Sequence, residues 1–89
     1  MIRGPAWFRR RRLERELTEV WCAVLRRERI GRTDRFADLG GDSIAAVRIV
    51  NALADRLGTD LSVRVLLETQ TVAGMAERVL APGDGEAGP

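Results

Sequence analysis

Asp38-Leu39-Gly40-Gly41-Asp42-Ser43-Ile44 is the stretch that decides how the chain is read. Two glycines and an aspartate close a loop, and Ser43 opens a run with helical periodicity. Counted at 100° per residue from Ser43, Ala46, Val47, Val50, Leu53, Ala54 and Leu57 fall within one arc. That arc predicts a helix over Ser43–Leu57 and forms its expected core face. Gly58 follows as a normal residue just past a helix end. Arg48, Asn51, Asp55 and Arg56 lie on the other side, and Ile44 falls among them.

Upstream, Leu13, Leu17, Val20, Trp21, Val24 and Leu25 repeat at i, i+3, i+4 and i+7, which predicts a first helix ending near Arg27 or Glu28. The run Arg9–Arg12 would oppose the helix dipole, so that helix is expected to start near Leu13. Residues 1–12 then form a flexible basic arm or linker. Ile30 to Asp42 has no sustained period. Ile30, Phe36 and Leu39 are its spaced apolar anchors, and a loop of this length is expected to be pinned to the core by them.

Downstream, Val63–Glu68 reads as one or two turns capped by Ser62. Thr71 is positioned to cap a last helix with the stripe Val72, Met75, Ala76, Val79 and Leu80, which Pro82 ends. Residues 81–89, rich in Gly, Pro and acids, are expected to be a disordered tail or linker. The fold class is therefore all-α: a right-handed bundle of four helices over residues 13–80, with a short third helix and a long first loop.

Composition removes several kinds of chemistry. Eighty-nine residues allow one small domain, and an apolar share of 45% is enough for a modest core. A lone cysteine, Cys22, precludes a disulfide within the chain and makes a cytoplasmic setting the default. There is no histidine, and all fifteen basic residues are arginine, so the commonest general base, the commonest metal ligand and every lysine are missing. No apolar run is long enough to span a membrane. Residues 1–32 hold ten arginines against four acids, and residues 33–89 five against nine, giving +6 and −4. Arg9–Arg12 is the one run that suits nucleic acid. It lies outside the expected bundle, however, and the helix after Ser43 is not markedly basic, so a solvated arm or linker is the better reading.

A serine at a helix start sits beside unpaired backbone N–H groups and the positive end of the dipole, which suits an anion attached at its hydroxyl. Gly40 and Gly41 leave the preceding backbone bare for close approach of a large partner. Asp42 adds negative charge and can cap the helix. Taken alone, these four residues read first as an ordinary glycine turn with an Asp/Ser cap. Gly-Asp-Ser also opens the nucleophile motif of one esterase family, but a serine nucleophile needs a general base and an oxyanion hole. A chain without histidine or lysine does not provide the base.

The wider pattern resembles the peptidyl carrier (thiolation) domains of nonribosomal peptide synthetases. The resemblance rests on Val20-Trp21-Cys22-Ala23-Val24-Leu25, Ile30-Gly31, and Asp34-Arg35-Phe36-Ala37 running into the Gly-Gly-Asp-Ser-Ile loop. Leu61-Ser62-Val63, Leu66-Leu67-Glu68 and Thr71-Val72-Ala73-Gly74-Met75-Ala76 continue it in the same order, so that it covers roughly residues 13–80. It implies that Ser43 is the position at which a phosphopantetheinyl transferase attaches 4′-phosphopantetheine from coenzyme A, as a phosphodiester. An aminoacyl or peptidyl group is then held as a thioester on the arm and presented to adenylation and condensation domains. The domain itself carries out no bond chemistry.

Three positions depart from the family pattern. Asp42 stands where many members have histidine, and an aspartate there resembles the carriers that serve epimerisation domains as well as some carriers of other types. Ala37 replaces a common second aromatic, and Gln70 replaces a common proline. Ile44, apolar on a polar arc beside Ser43, is expected at the partner interface, with Arg48 one turn on, Val65 of the short helix, and Asp42. Trp21, Phe36 and Cys22 read as structural. The carrier is expected to act as a monomer without nucleic acid, metal or membrane. The alternatives are an aryl or polyketide-type acyl carrier and, in a different class, an unmodified helical interaction or nucleic-acid-binding module.

Overall fold

The structure, a computed structural model, describes residues 6–58 and 60–81. Among them are four α-helices and no strand: α1 (Ala6–Leu25), α2 (Ser43–Leu57), the short α3 (Val63–Thr69) and α4 (Val72–Leu80), with a 3₁₀ turn at Ala37–Leu39. The helices close a ring in which α1 packs on α2 and α4, and α3 completes it between those two. Residues 1–5 of the expected arm and 82–89 of the expected tail lie outside the described residues.

α1 begins at Ala6, well before the expected start at Leu13. Cations oppose the dipole chiefly within the first turn, and Arg9–Arg12 lie at or beyond its end, where arginine is a good helix former. Arg10 and Arg11 also stand four and three residues before Glu14, and their charges act on its carboxylate across the helix surface. At the other end Arg26 turns left-handed, with φ 57°, and the Arg27 N–H reaches back to the Cys22 carbonyl at 3.0 Å, a Schellman ending.

The remaining boundaries follow short-range signals. α2 spans Ser43–Leu57 as expected, and Gly58 closes it at φ 68°. Ser62 Oγ accepts the Val65 N–H at 3.2 Å, and Thr71 Oγ1 accepts the Gly74 N–H at 2.9 Å, so both expected caps form. Val72, Met75 and Ala76 are buried, with Val79 and Leu80 half-buried beside them.

The core face of α2 differs from the expected arc. Ala46, Ile49, Val50 and Leu53 are buried, whereas Val47 is 46% exposed. The buried set keeps the i, i+3, i+4, i+7 rhythm, but its centre is rotated toward Ile49, because α2 must face α1 on one side and α3 on the other. Val47 therefore joins the outer surface.

The long loop is pinned as expected. Ile30 and Phe36 are buried and Leu39 is half-buried. The Phe36 ring meets Trp21 edge-on at 5.4 Å and 72°, a favoured aromatic geometry in the centre of the core. The Ala73 N–H donates to the Arg32 carbonyl at 2.9 Å. The Arg32 guanidinium grips Glu14 with two bonds of 2.9 Å, Nε to Oε1 and Nη2 to Oε2.

Those two bonds hold the Glu14 carboxyl below its ordinary value of 4.5. Burial opposes the shift, and the charges of Arg32, Arg10 and Arg11 add to it. A carboxylate whose folded pKa is depressed stabilises the fold above its unfolded pKa and loses that contribution as pH falls through the folded value. Glu14→Gln is accordingly expected to flatten the acid limb of stability. Urea midpoints measured from neutrality to below pH 4.5 for both proteins check this.

Candidate functional site: the loop into α2

Ser43 occupies the first position of α2 and is exposed. The cap is Asp42, whose Oδ1 accepts the Ala45 N–H at 2.9 Å while its carbonyl accepts the Ala46 N–H. With the capping work done by its neighbour, the Ser43 hydroxyl is left to solvent. The first-turn amides of Ser43 and Ile44 have no intrahelical acceptor, so the local field is positive. Asp42→Ala is expected to cost about 1 kcal/mol, a fall in thermal midpoint of roughly 4–8 °C by calorimetry.

The two glycines have different structural reasons. Gly40 is left-handed at φ 87° and looks into open space, as a bare approach surface would. Gly41 is bare for an internal reason: a Cβ there would stand 2.5 Å from Cε1 and Cε2 of Phe36 and closer still to Cζ. The Phe36 carbonyl accepts the Leu39 N–H at 3.1 Å and the Gly41 N–H at 2.9 Å. Phe36 thus carries the loop from below and is itself carried by Trp21.

Around Ser43 the expected interface residues divide. Ile44 is 67% exposed. Together with Asp42, Gly40, Arg48 and Arg26 it lines a shallow groove of about 310 Å³ against the end of α1. Ser43 and Val65 lie outside that groove, and Val65 is half-buried against the core. Two exposed apolar residues escaped the sequence reading: Val47, assigned to the core, and Leu67 on α3, 44% exposed. The rhythm of α2, drawn around Ile49, could have found the first. Among the described residues no cluster of His, Cys, Asp and Glu could hold a metal. No helix among them is long and apolar enough to cross a membrane.

Comparison with solved structures places this all-α bundle among the acyl-carrier-like helical proteins. The solved structure of BlmI, a type-II acyl carrier protein of Streptomyces verticillus involved in bleomycin biosynthesis, superposes with a TM-score of 0.78 at 47% identity, covering 81% of this chain and 87% of that one. A nonribosomal peptidyl carrier domain superposes at 0.67 with 32% identity, over 84% and 91%. Residues 15–79 match the phosphopantetheine attachment site family, and the chain belongs to it, among the peptidyl carrier domains of nonribosomal peptide synthesis. Malpinin synthetase of Mortierella alpina is 44% identical over 71 residues, 80% of this chain and 1% of that protein. A dimodular nonribosomal peptide synthase of Bacillus subtilis is 43% identical over 77 residues, 86% of this chain and 3% of that one. The chain thus spans only a small part of the length of these relatives.

Members of this family carry 4′-phosphopantetheine covalently. The residues here fit such a group. They offer a primary hydroxyl in solvent, open space beside Gly40 in the turn before it, and a helix start whose field favours a phosphodiester.

Proposed function

We propose that Ser43 is the attachment residue and that the chain is the substrate of a phosphopantetheinyl transferase using coenzyme A. The observation that carries this reading is the division of labour at the start of α2: Asp42 caps the helix, and the neighbouring Ser43 keeps a free hydroxyl inside the matched region. The arm supplies a terminal thiol on which an aminoacyl or peptidyl group is held as a thioester. The protein's own residues hold and present. Transfer forms the Ser43 Oγ–P bond as the pyrophosphate bond of coenzyme A breaks and adenosine 3′,5′-bisphosphate leaves; the hydroxyl proton passes to a base, a role for which the carrier offers no histidine or lysine. The first-turn amides of α2 and the dipole favour the resulting phosphodiester. Tethering raises the local concentration of the intermediate at each partner without any pocket for it.

The partners in this reading are adenylation and condensation domains, with an epimerisation domain suggested by Asp42. They dock across a band made of the exposed Ile44 and Val47, with Asp42 and Arg48 beside them and, on α3, the exposed Leu67 and the half-buried Val65. Such a band has an apolar centre and charged edges, as transient interfaces do. The carrier works as a single copy in the cytoplasm, consistent with its lone half-buried Cys22. The test is direct. The protein is incubated with a broad-specificity transferase, magnesium and coenzyme A, and its intact mass is measured. A gain of one phosphopantetheine is expected, and no gain on a folded protein would overturn the proposal.

A further inference from the structure

Gln70 stands between α3 and α4, and its backbone is in a costly conformation. Its φ of 63° is left-handed, a region that disfavours residues with a Cβ by about 1–2 kcal/mol. Glycine would adopt that turn without strain, as Gly58 does at the end of α2. Strain retained at one position points to work done by the side chain there.

The bonds show what that work is. The Gln70 N–H donates to the Leu66 carbonyl at 2.8 Å and ends α3. The left-handed turn sends its carbonyl outward, where it accepts the Phe36 N–H at 2.7 Å. In the side chain, Nε2 donates to the Leu67 carbonyl at 3.1 Å and Oε1 accepts the Ala37 N–H at 3.0 Å, from a residue 33 positions earlier. The Nε2 end of the side-chain amide can only donate and the Leu67 carbonyl can only accept, so that bond leaves Oε1 facing Ala37. Among the described residues, these two bonds from Gln70 are the only hydrogen bonds that tie residues 36–41 to the helices on the α3 side. From Phe36 the connection runs through its carbonyl to Gly41, then to Asp42 and its cap, and ends at Ser43.

We propose that Gln70 is a positioning residue for Ser43. It locks the loop Phe36–Gly41 to the end of α3 and so sets where the hydroxyl stands relative to the exposed Leu67 on the same helix. A partner that rests on α3 thereby meets Ser43 at a fixed offset. The inference rests on Ser43 being the attachment residue, and deepens that reading.

The test uses the full chain with two variants. Gln70→Gly keeps the left-handed turn and removes the amide, and Gln70→Glu keeps an acceptor for Ala37 while losing the donor to Leu67. Amide exchange by NMR reads the clamp, and transferase kinetics with the carrier as varied substrate read the position of Ser43. For Gln70→Gly the Ala37 amide is expected to exchange about tenfold faster, with the core amide of Leu53 unchanged. The kcat for the transfer is expected to fall by about tenfold, while KM for the carrier stays within about twofold. Gln70→Glu is expected to lie between Gln70→Gly and the parent protein in both readouts. A freed Ala37 amide with an unaltered kcat would overturn the inference alone, and so would an Ala37 amide that stays protected. Absence of any mass gain on the parent protein would overturn the attachment reading, and this inference with it.

Discussion

Ser43→Ala is expected to abolish the phosphopantetheine mass gain completely while leaving the thermal midpoint where it was. The two halves of that expectation have separate causes. The hydroxyl is the only part of Ser43 that the substitution removes, and it has no hydrogen bond among the described residues; the helix start is held by Asp42 through the Ala45 N–H. Alanine is also a better helix former than serine, and exposed substitutions away from caps and cores stay within about 0.5 kcal/mol. The variant therefore reports on chemistry alone. It separates Ser43 from the other nucleophiles of the chain, including the half-buried thiol of Cys22, which it leaves untouched. A mass gain that persists in Ser43→Ala would place the attachment elsewhere. Intact mass and a calorimetric scan on the same sample decide it.

Gly41→Ala is expected to do the opposite, damaging the fold by about 3 kcal/mol, or roughly 12–24 °C in thermal midpoint. The added methyl meets the tip of the Phe36 ring, a rigid group rather than the end of a flexible chain. The ring cannot retreat, because the fully buried Trp21 lies edge-on against it. The loop cannot rise without stretching the Gly41 N–H bond to the Phe36 carbonyl. Gly40→Ala is a useful contrast: its neighbourhood is open, and only the left-handed φ of 87° opposes it, at about 1–2 kcal/mol. Phe36→Leu shortens the clashing group. In the Gly41→Ala background it is expected to cost less than it does alone, which a double-mutant cycle of urea midpoints measures. Additive costs would mean that the ring and the glycine are not in conflict.

The parts of this structure legible in the sequence are those set within a few residues. Asp42, Ser62 and Thr71 cap because a side-chain oxygen reaches an amide three residues on, and Gly58 ends α2 because its φ is free. The start of α1 was hidden because the dipole argument applies only to the first turn, and the arginine run begins where its force fades. Val47 was placed inside because a helical wheel does not know which neighbours will flank it; contacts from both α1 and α3 turned α2 toward Ile49. The reason for Gly41 and the role of Gln70 were out of reach for a plainer cause. Each depends on a partner brought up by the tertiary fold, an aromatic ring in one case and the amide of Ala37 in the other. Ser43 is legible as the proposed attachment residue through its flanking motifs, and the structure adds that Asp42, not Ser43, caps the helix beside it.

Trp21 leaves one polar atom unaccounted for: among the described residues its buried indole nitrogen has no acceptor. An unpaired donor of this kind costs about 1–3 kcal/mol, which the packing of the large ring against Phe36 must exceed.

The outward rotation of Val47 has a consequence for how such a protein changes over time. Ile44, Val47 and Leu67 are exposed and none belongs to the buried core, so the docking surface proposed for them is separate from it. Substitutions on it are nearly free of folding cost, so affinity for one enzyme or another can drift, be lost and be regained without the bundle ever becoming unstable. On the docking role proposed above, recognition and architecture evolve on separate clocks, and a carrier of this kind is re-addressed to a new assembly line by altering a handful of exposed residues.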